Sequence, residues 1–145
     1  MPKSHPILLV EDNPDDQLLT IRALKSNNII NKVVVVSDGQ EAVDYLHRRG
    51  EYAERSDRGP QFILLDINLP KLSGIEVLRE IRNSPELRHL PVVILTSSKE
   101  DRDLIESYNL GVNSYIRKPV DFNQFTELVK QLGFYWLVIN EVPEL

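Results

Sequence analysis

Short apolar runs recur along the chain, each followed by a polar stretch and then by apolar positions at helical spacing. Ile7-Leu-Leu-Val10 is the first run, and Glu11-Asp-Asn-Pro-Asp-Asp16 follows it. That string suits a helix N-terminus, where carboxylates favour the positive dipole end and Pro14 has no N–H to leave unpaired. Leu18, Leu19, Ile21, Ala23 and Leu24 then predict a helix whose apolar stripe faces a sheet, ended by Lys25-Ser-Asn-Asn28. Val33-Val-Val-Val36 repeats the plan, and Ser37-Asp-Gly-Gln-Glu41 leads into a helix carrying Ala42, Val43, Tyr45 and Leu46. The charged stretch Arg48 to Gly59 exceeds the usual connection of about 2 to 6 residues and reads as a surface excursion.

Phe62-Ile-Leu-Leu65 predicts a third strand ending on Asp66, and a loop from Asn68 to Gly74 precedes a helix with Ile75, Val77, Leu78 and Ile81. Ser84-Pro85 stops that helix, because the residue before proline avoids helical backbone. Pro91 to Leu95 is a fourth strand, and Ser98 with Asp101 has the spacing of a capping box. The helix it opens is expected to run to about Leu110, with Gly111 as its left-handed cap. Ser114-Tyr-Ile-Arg117 is a fifth strand, broken by Lys118-Pro119, and Asp121 with Gln124 caps a last helix bearing Phe125, Leu128, Val129 and Leu132.

Five continuous apolar strands, each followed by a helix, specify a parallel sheet covered on both faces. The expected fold is α/β, a flavodoxin-like doubly wound five-stranded parallel sheet of order 2-1-3-4-5 with five helices. Ligands on such a sheet bind outside the carboxyl ends of the strands, here beside strands one and three. The 145 residues, 41% hydrophobic, fit one domain over 1-145, with a core of about 5-133 and an apolar extension at 134-145. A net charge of −5 disfavours nucleic acid and anionic membrane surfaces as partners. No cysteine offers a disulfide or thiolate metal site, and no apolar run approaches the roughly 20 residues that span a bilayer. A cytoplasmic protein is expected.

Candidate chemistry gathers at the strand ends: Glu11 and Asp12 after strand one, Asp66 and Asn68 after three, Thr96 after four, Lys118 after five. Each has a plain reading as capping or solvated-turn chemistry, yet six such groups at the carboxyl ends of four strands point to one site. Three carboxylates this close repel by several kcal/mol at neutral pH unless a cation joins them. Oxygen ligands without nearby histidine or cysteine favour Mg²⁺, or Mn²⁺, over Zn²⁺. Asp66, on a rigid strand end, is the best nucleophile for an acyl phosphate. Mg²⁺, the Lys118 ammonium and the Thr96 hydroxyl would each take an oxygen of the transferring group. His5, His47 and His89 are expected at the surface, and no glycine cluster predicts a bound nucleotide.

Leu-Val-Glu11-Asp12-Asn, Leu-Leu-Asp66-Ile-Asn-Leu-Pro70 with Gly74 eight positions on, Val-Ile-Leu-Thr96-Ser and Tyr115-Ile-Arg-Lys118-Pro119 together resemble the receiver domain of two-component response regulators. The resemblance covers about residues 5 to 133. It implies that Asp66 is the phosphoacceptor and that Asp12, Asp66 and the Asn68 backbone carbonyl hold the metal, with Glu11 acting mainly through a metal-bound water. It further implies that Thr96 and Lys118 bind phosphate, that Thr96 and Tyr115 move on phosphorylation to switch the helix 4/strand 5/helix 5 surface, and that the Lys118-Pro119 peptide is cis. A sensor histidine kinase would supply the phosphoryl group, and a downstream protein or phosphotransfer protein would receive the signal.

The charged insert with Gly50-Glu-Tyr52 and the tail from Phe134 to Pro143 are similar to the phytochrome-linked single-domain regulators of bacteria. Phe134, Tyr135 and Trp136, with the three apolar residues after them, lie beyond the last element the fold needs and predict a homodimer contact, with folding back on the same domain as the alternative. A second function class is a haloacid-dehalogenase-type hydrolase, which places an acid-base Asp two positions after its nucleophile. Asn68 occupies that position and cannot relay a proton, so a phosphorylated switch is favoured over a turnover enzyme.

Overall fold

The computed structural model describes residues 5–55, 59–121 and 123–127. Five parallel strands form one sheet: β1 (Ile7–Val10), β2 (Val33–Val36), β3 (Phe62–Asp66), β4 (Val92–Thr96) and β5 (Ser114–Arg117), in the order β2-β1-β3-β4-β5. Between them lie α1 (Pro14–Ser26), α2 (Gly39–His47), α3 (Gly74–Asn83) and α4 (Lys99–Ser107), and residues 123–127 enter a fifth helix, α5. The predicted residues Leu128, Val129 and Leu132 of that helix, and the tail with Phe134, Tyr135 and Trp136, lie outside the described residues.

The three inner strands are fully buried, which is why their sequences are apolar without alternation. Successive residues still point to opposite faces. Leu8, Val10, Ile63, Leu65 and Ile94 pack with Val43, Leu46, Val77, Leu78 and Ile81 of α2 and α3 and with Ile105 of α4. Ile7, Leu9, Phe62, Leu64 and Val93 pack on the other face with Ala23 and Leu24 of α1 and Phe125 of α5.

The expected inward stripe of α1 is corrected. Leu18 is 51% exposed and Leu19 36%, while Thr20, Ala23 and Leu24 are buried and Ile21 half-buried. A polar residue holds an inward position because the Thr20 hydroxyl donates to the Asp16 carbonyl one turn back, which meets its hydrogen-bond need. The helix α4 also ends earlier than expected, at Ser107, because Asn109 already adopts a left-handed backbone (φ 52°).

Nor is the charged insert a free excursion. Gly50–Tyr52 forms a 3-10 turn, and the Tyr52 hydroxyl donates to Glu41 of α2 at 2.7 Å. The Tyr52 ring stands edge-on to Tyr45 (centroids 5.2 Å apart), and the Arg55 guanidinium lies 4.1 Å from the centre of the Tyr45 ring. Two aromatic residues seven positions apart thereby tie the insert to α2.

Candidate phosphoacceptor site

Parallel pairing aligns Val10 with Leu65, so the next residue of each strand, Glu11 and Asp66, emerges beside the other where strand order reverses. The acidic string after β1 divides its labour. The Asn13 side chain caps α1 by accepting from the N–H groups of Asp15 and Asp16, which frees Glu11 and Asp12 from capping. Glu11 is wholly buried, Asp66 nearly so, and Asp12 is exposed. One carboxylate oxygen from each of Glu11, Asp12 and Asp66 lies within 4.8 Å of the others.

Glycine at position 74 lets β3 and α3 close together behind Asp66. The Gly74 N–H donates to the Ile67 carbonyl at 2.9 Å, and a Cβ there would stand 2.4 Å from the Asp66 carbonyl oxygen. The Asn68 N–H donates to Asp66 Oδ1 at 3.2 Å, which leaves Oδ2 turned toward the centre of the site.

Lys118 enters from the end of β5, where its N–H donates to the Thr96 carbonyl at 2.9 Å and the Lys118-Pro119 peptide is cis, as expected. Its ammonium donates to Asp66 Oδ2 at 3.0 Å and lies 2.9 Å from Glu11 Oε1 and 3.1 Å from Asp16 Oδ2. The cation that the carboxylates require is thus supplied in part by the chain itself. Asp16 was not foreseen as part of the cluster. From sequence it is one more acidic residue at a helix start, and only the return of β5 brings an ammonium to it.

Burial pushes the Glu11 carboxyl up to about 7, with the Asp66 carboxylate adding to the rise and Lys118 and the Asn13 N–H opposing it. Burial alone would lower the Lys118 ammonium, but Glu11, Asp66 and Asp16 outweigh it and hold the group above its ordinary value. Despite the nearby ammonium, buried Glu11 Oε1 accepts no hydrogen bond among the described residues. A buried carboxyl oxygen without a hydrogen bond, in a cluster with two more carboxylates and no nitrogen or sulfur ligand, fits a hard divalent cation and its waters.

Thr96 is buried, and its hydroxyl is closed into its own turn: it donates to the Ser98 carbonyl at 3.1 Å and accepts from the Ser98 N–H at 3.2 Å. Tyr115 is half-buried, and the Arg102 guanidinium stands 4.7 Å from its ring centre. Both residues line one cleft of about 410 Å³, shared with the cations Lys99, Arg102 and Arg117. None of the three histidines reaches the crevice. The expectation that all lie at the surface fails for His47, whose side chain is 10% exposed between Glu80 (3.1 Å) and Glu86 (3.5 Å), bridging α2 to α3 and its exit loop.

The comparisons agree with this geometry. Response regulator Rcp1 of Synechocystis sp. is 42% identical over 137 residues, covering 94% of this chain and 92% of Rcp1. The bacteriophytochrome response regulator AtBRR superimposes with a TM-score of 0.87 at 51% identity, covering 97% of this chain and all of its own. The phosphorylated cyanobacterial phytochrome response regulator RcpA gives 0.75 at 44% identity, over 92% of this chain and 94% of its own. The Mn²⁺-bound form of Rcp1 also gives 0.75, at 38% identity over 97% of this chain and 99% of its own. A family model of the response regulator receiver domain matches residues 7–130, and with these carboxylates and this lysine at the ends of β1, β3 and β5 the chain belongs to that family.

Proposed function

We propose that this protein carries a two-component signal as a phosphoryl group on Asp66, taken from the phosphohistidine of a phytochrome-class sensor kinase. The observation that carries the reading is Asp66 Oδ2, buried, 3.0 Å from the Lys118 ammonium and beside two further carboxylates. Phytochrome response regulators among the similar proteins, one of them solved phosphorylated, support the donor class, and the Mn²⁺-bound form of response regulator Rcp1 supports the cofactor.

In the transfer, an Asp66 oxygen forms a bond to phosphorus as the bond from phosphorus to the donor histidine nitrogen breaks; that nitrogen keeps the electron pair, and with the other ring nitrogen protonated the donor leaves as a neutral imidazole. Glu11, Asp12, Asp66 and the Asn68 carbonyl are the residues that would hold Mg²⁺ or Mn²⁺, with Glu11 acting through water. Such an ion supplies positive charge for the phosphoryl oxygens. Lys118 gives up its bond to Asp66 and donates to a phosphoryl oxygen. Thr96 leaves the Ser98 turn to donate to another, and Tyr115 moves into the space vacated. Because both line the cationic cleft between α4 and β5, loading of Asp66 alters the surface that a target protein or phosphotransfer protein meets. Asn68 provides no acid-base carboxyl, so hydrolysis of the acyl phosphate is slow. The composition of the tail, six apolar residues from Phe134 to Ile139, supports pairing with a second copy.

Incubation with acetyl phosphate and Mg²⁺ should add one phosphoryl mass to the intact protein, and EDTA should prevent it. Retention of the adduct in Asp66→Asn refutes the assignment. Sedimentation of a chain ending at Gly133 tests the dimer, which an unchanged mass would rule out.

A further inference from the structure

We propose that Asp16 is the positioning residue that keeps the Lys118 ammonium in reach of the phosphoryl group while the other carboxylates are otherwise engaged. The inference rests on reading Asp66 as the phosphoacceptor. Three carboxylate oxygens surround Lys118 Nζ within 2.9–3.1 Å, from Glu11, Asp16 and Asp66. Two of these belong to the cluster that converges on a single metal-binding point, and Asp16 does not. Once a cation draws on Glu11 and Asp66, and once one Asp66 oxygen is bonded to phosphorus, those two carboxylates hold the ammonium less well. Neither event draws on Asp16, so its carboxylate oxygen still tethers the ammonium.

Its attachment suits the task. Asp16 sits in the first turn of α1, its N–H is capped by the Asn13 side chain at 3.1 Å, and its carbonyl accepts from the buried Thr20 hydroxyl at 2.9 Å. The backbone carrying this carboxylate is therefore fixed on both sides. Its side chain is 25% exposed and that of Lys118 16%, so the pair lies at the rim of the crevice. With Asp16 present, the four-carbon stem of Lys118 is stretched across the site before phosphate arrives, and the entropy of ordering it is lost beforehand, not during transfer.

The test follows phosphorylation by acetyl phosphate with Mg²⁺ through intact mass, over a range of donor concentration. Asp16→Ala should slow labelling about tenfold, the effect of losing one hydrogen bond to a charged group. Asp16→Asn keeps an acceptor oxygen in place and should stay within about threefold of the parent. In a Lys118→Ala background, Asp16→Ala should cause no further loss, because the residue acts through the lysine. Asp16→Ser, a good helix-start residue, replaces Asp16→Ala should that variant melt early, and carries the same expectation.

Parent-like labelling by both truncations overturns the proposal. So does an undiminished defect in the Lys118→Ala background, which would mark a purely structural role. An Asp16→Asn variant as slow as Asp16→Ala also overturns it, since charge and not tethering would then be the cause. Labelling that survives Asp66→Asn would instead remove the phosphoacceptor reading itself, so the two failures are distinguishable.

Discussion

Gly74→Ala tests whether the phosphoacceptor is aimed by backbone packing. The added Cβ would lie 2.4 Å from the Asp66 carbonyl oxygen and 2.6 Å from the Ile67 Cα, where real contacts essentially never fall below 3.0 Å. Both obstacles are backbone atoms of the inner strand β3 and its exit, so no side-chain rotation relieves them. Either α3 or the end of β3 must retreat by about 0.6 Å, and more to reach ordinary contact. The shift would also stretch the Gly74 N–H bond to the Ile67 carbonyl, now 2.9 Å. Overpacking of this kind costs about 1–3 kcal/mol, with up to about 1 more if the hydrogen bond is lost. Urea unfolding should record a lower midpoint with an unchanged slope. Because Asp66 itself is displaced, acetyl phosphate labelling should slow even where the variant is fully folded. Parent-like stability and labelling together would refute the idea that glycine is needed for this approach.

The elevated Glu11 carboxyl makes metal-free stability depend on pH. The folded protein keeps this proton up to about 7 while the unfolded chain releases it near 4.5, so the folded state binds more protons in between and stability falls as pH rises through that window. The loss is on the order of 3 kcal/mol and levels off above pH 7. Urea midpoints in EDTA at several pH values should show Glu11→Gln without this decline; an identical slope would remove Glu11 as the cause. Lys118→Met should destabilise the metal-free protein at neutral pH by about 3–5 kcal/mol, because buried Glu11 and Asp66 lose their cation, and added Mg²⁺ should recover part of it, as read from melting temperature. Arg82→Met should cost about 3 kcal/mol without slowing phosphorylation. Its guanidinium donates to the carbonyls of Arg88, Leu90, Leu110 and Gly111, bracing two loops away from the crevice, and urea unfolding with a labelling assay separates the two effects.

Sequence alone determined the strands, their order, and the gathering of Glu11, Asp12, Asp66, Asn68, Thr96 and Lys118 at one end of the sheet. Fully buried parallel strands must be continuously apolar, and the rule that ligands bind at their carboxyl ends turns a linear pattern into a place. Helix starts at Pro14 and Lys99 were legible because their capping side chains lie within three residues of the groups they satisfy. What remained hidden depends on partners distant in the chain. Apolar spacing along α1 could not decide that Leu18 and Leu19 face outward, because the sheet selects the inward face and Thr20 meets its own hydrogen-bond need. Arg82 binds backbone carbonyls, which no side-chain pattern records. Lys118 was legible as a strand-end cation near the carboxylates, but its hold on Glu11, Asp16 and Asp66 was decided only when β5 came to rest beside β4 and brought an ammonium over acids at the ends of β1 and β3 and the start of α1. Residues supply the charges; the tertiary fold fixes their distances, and at about 3 Å in a buried crevice distance sets which charge neutralises which.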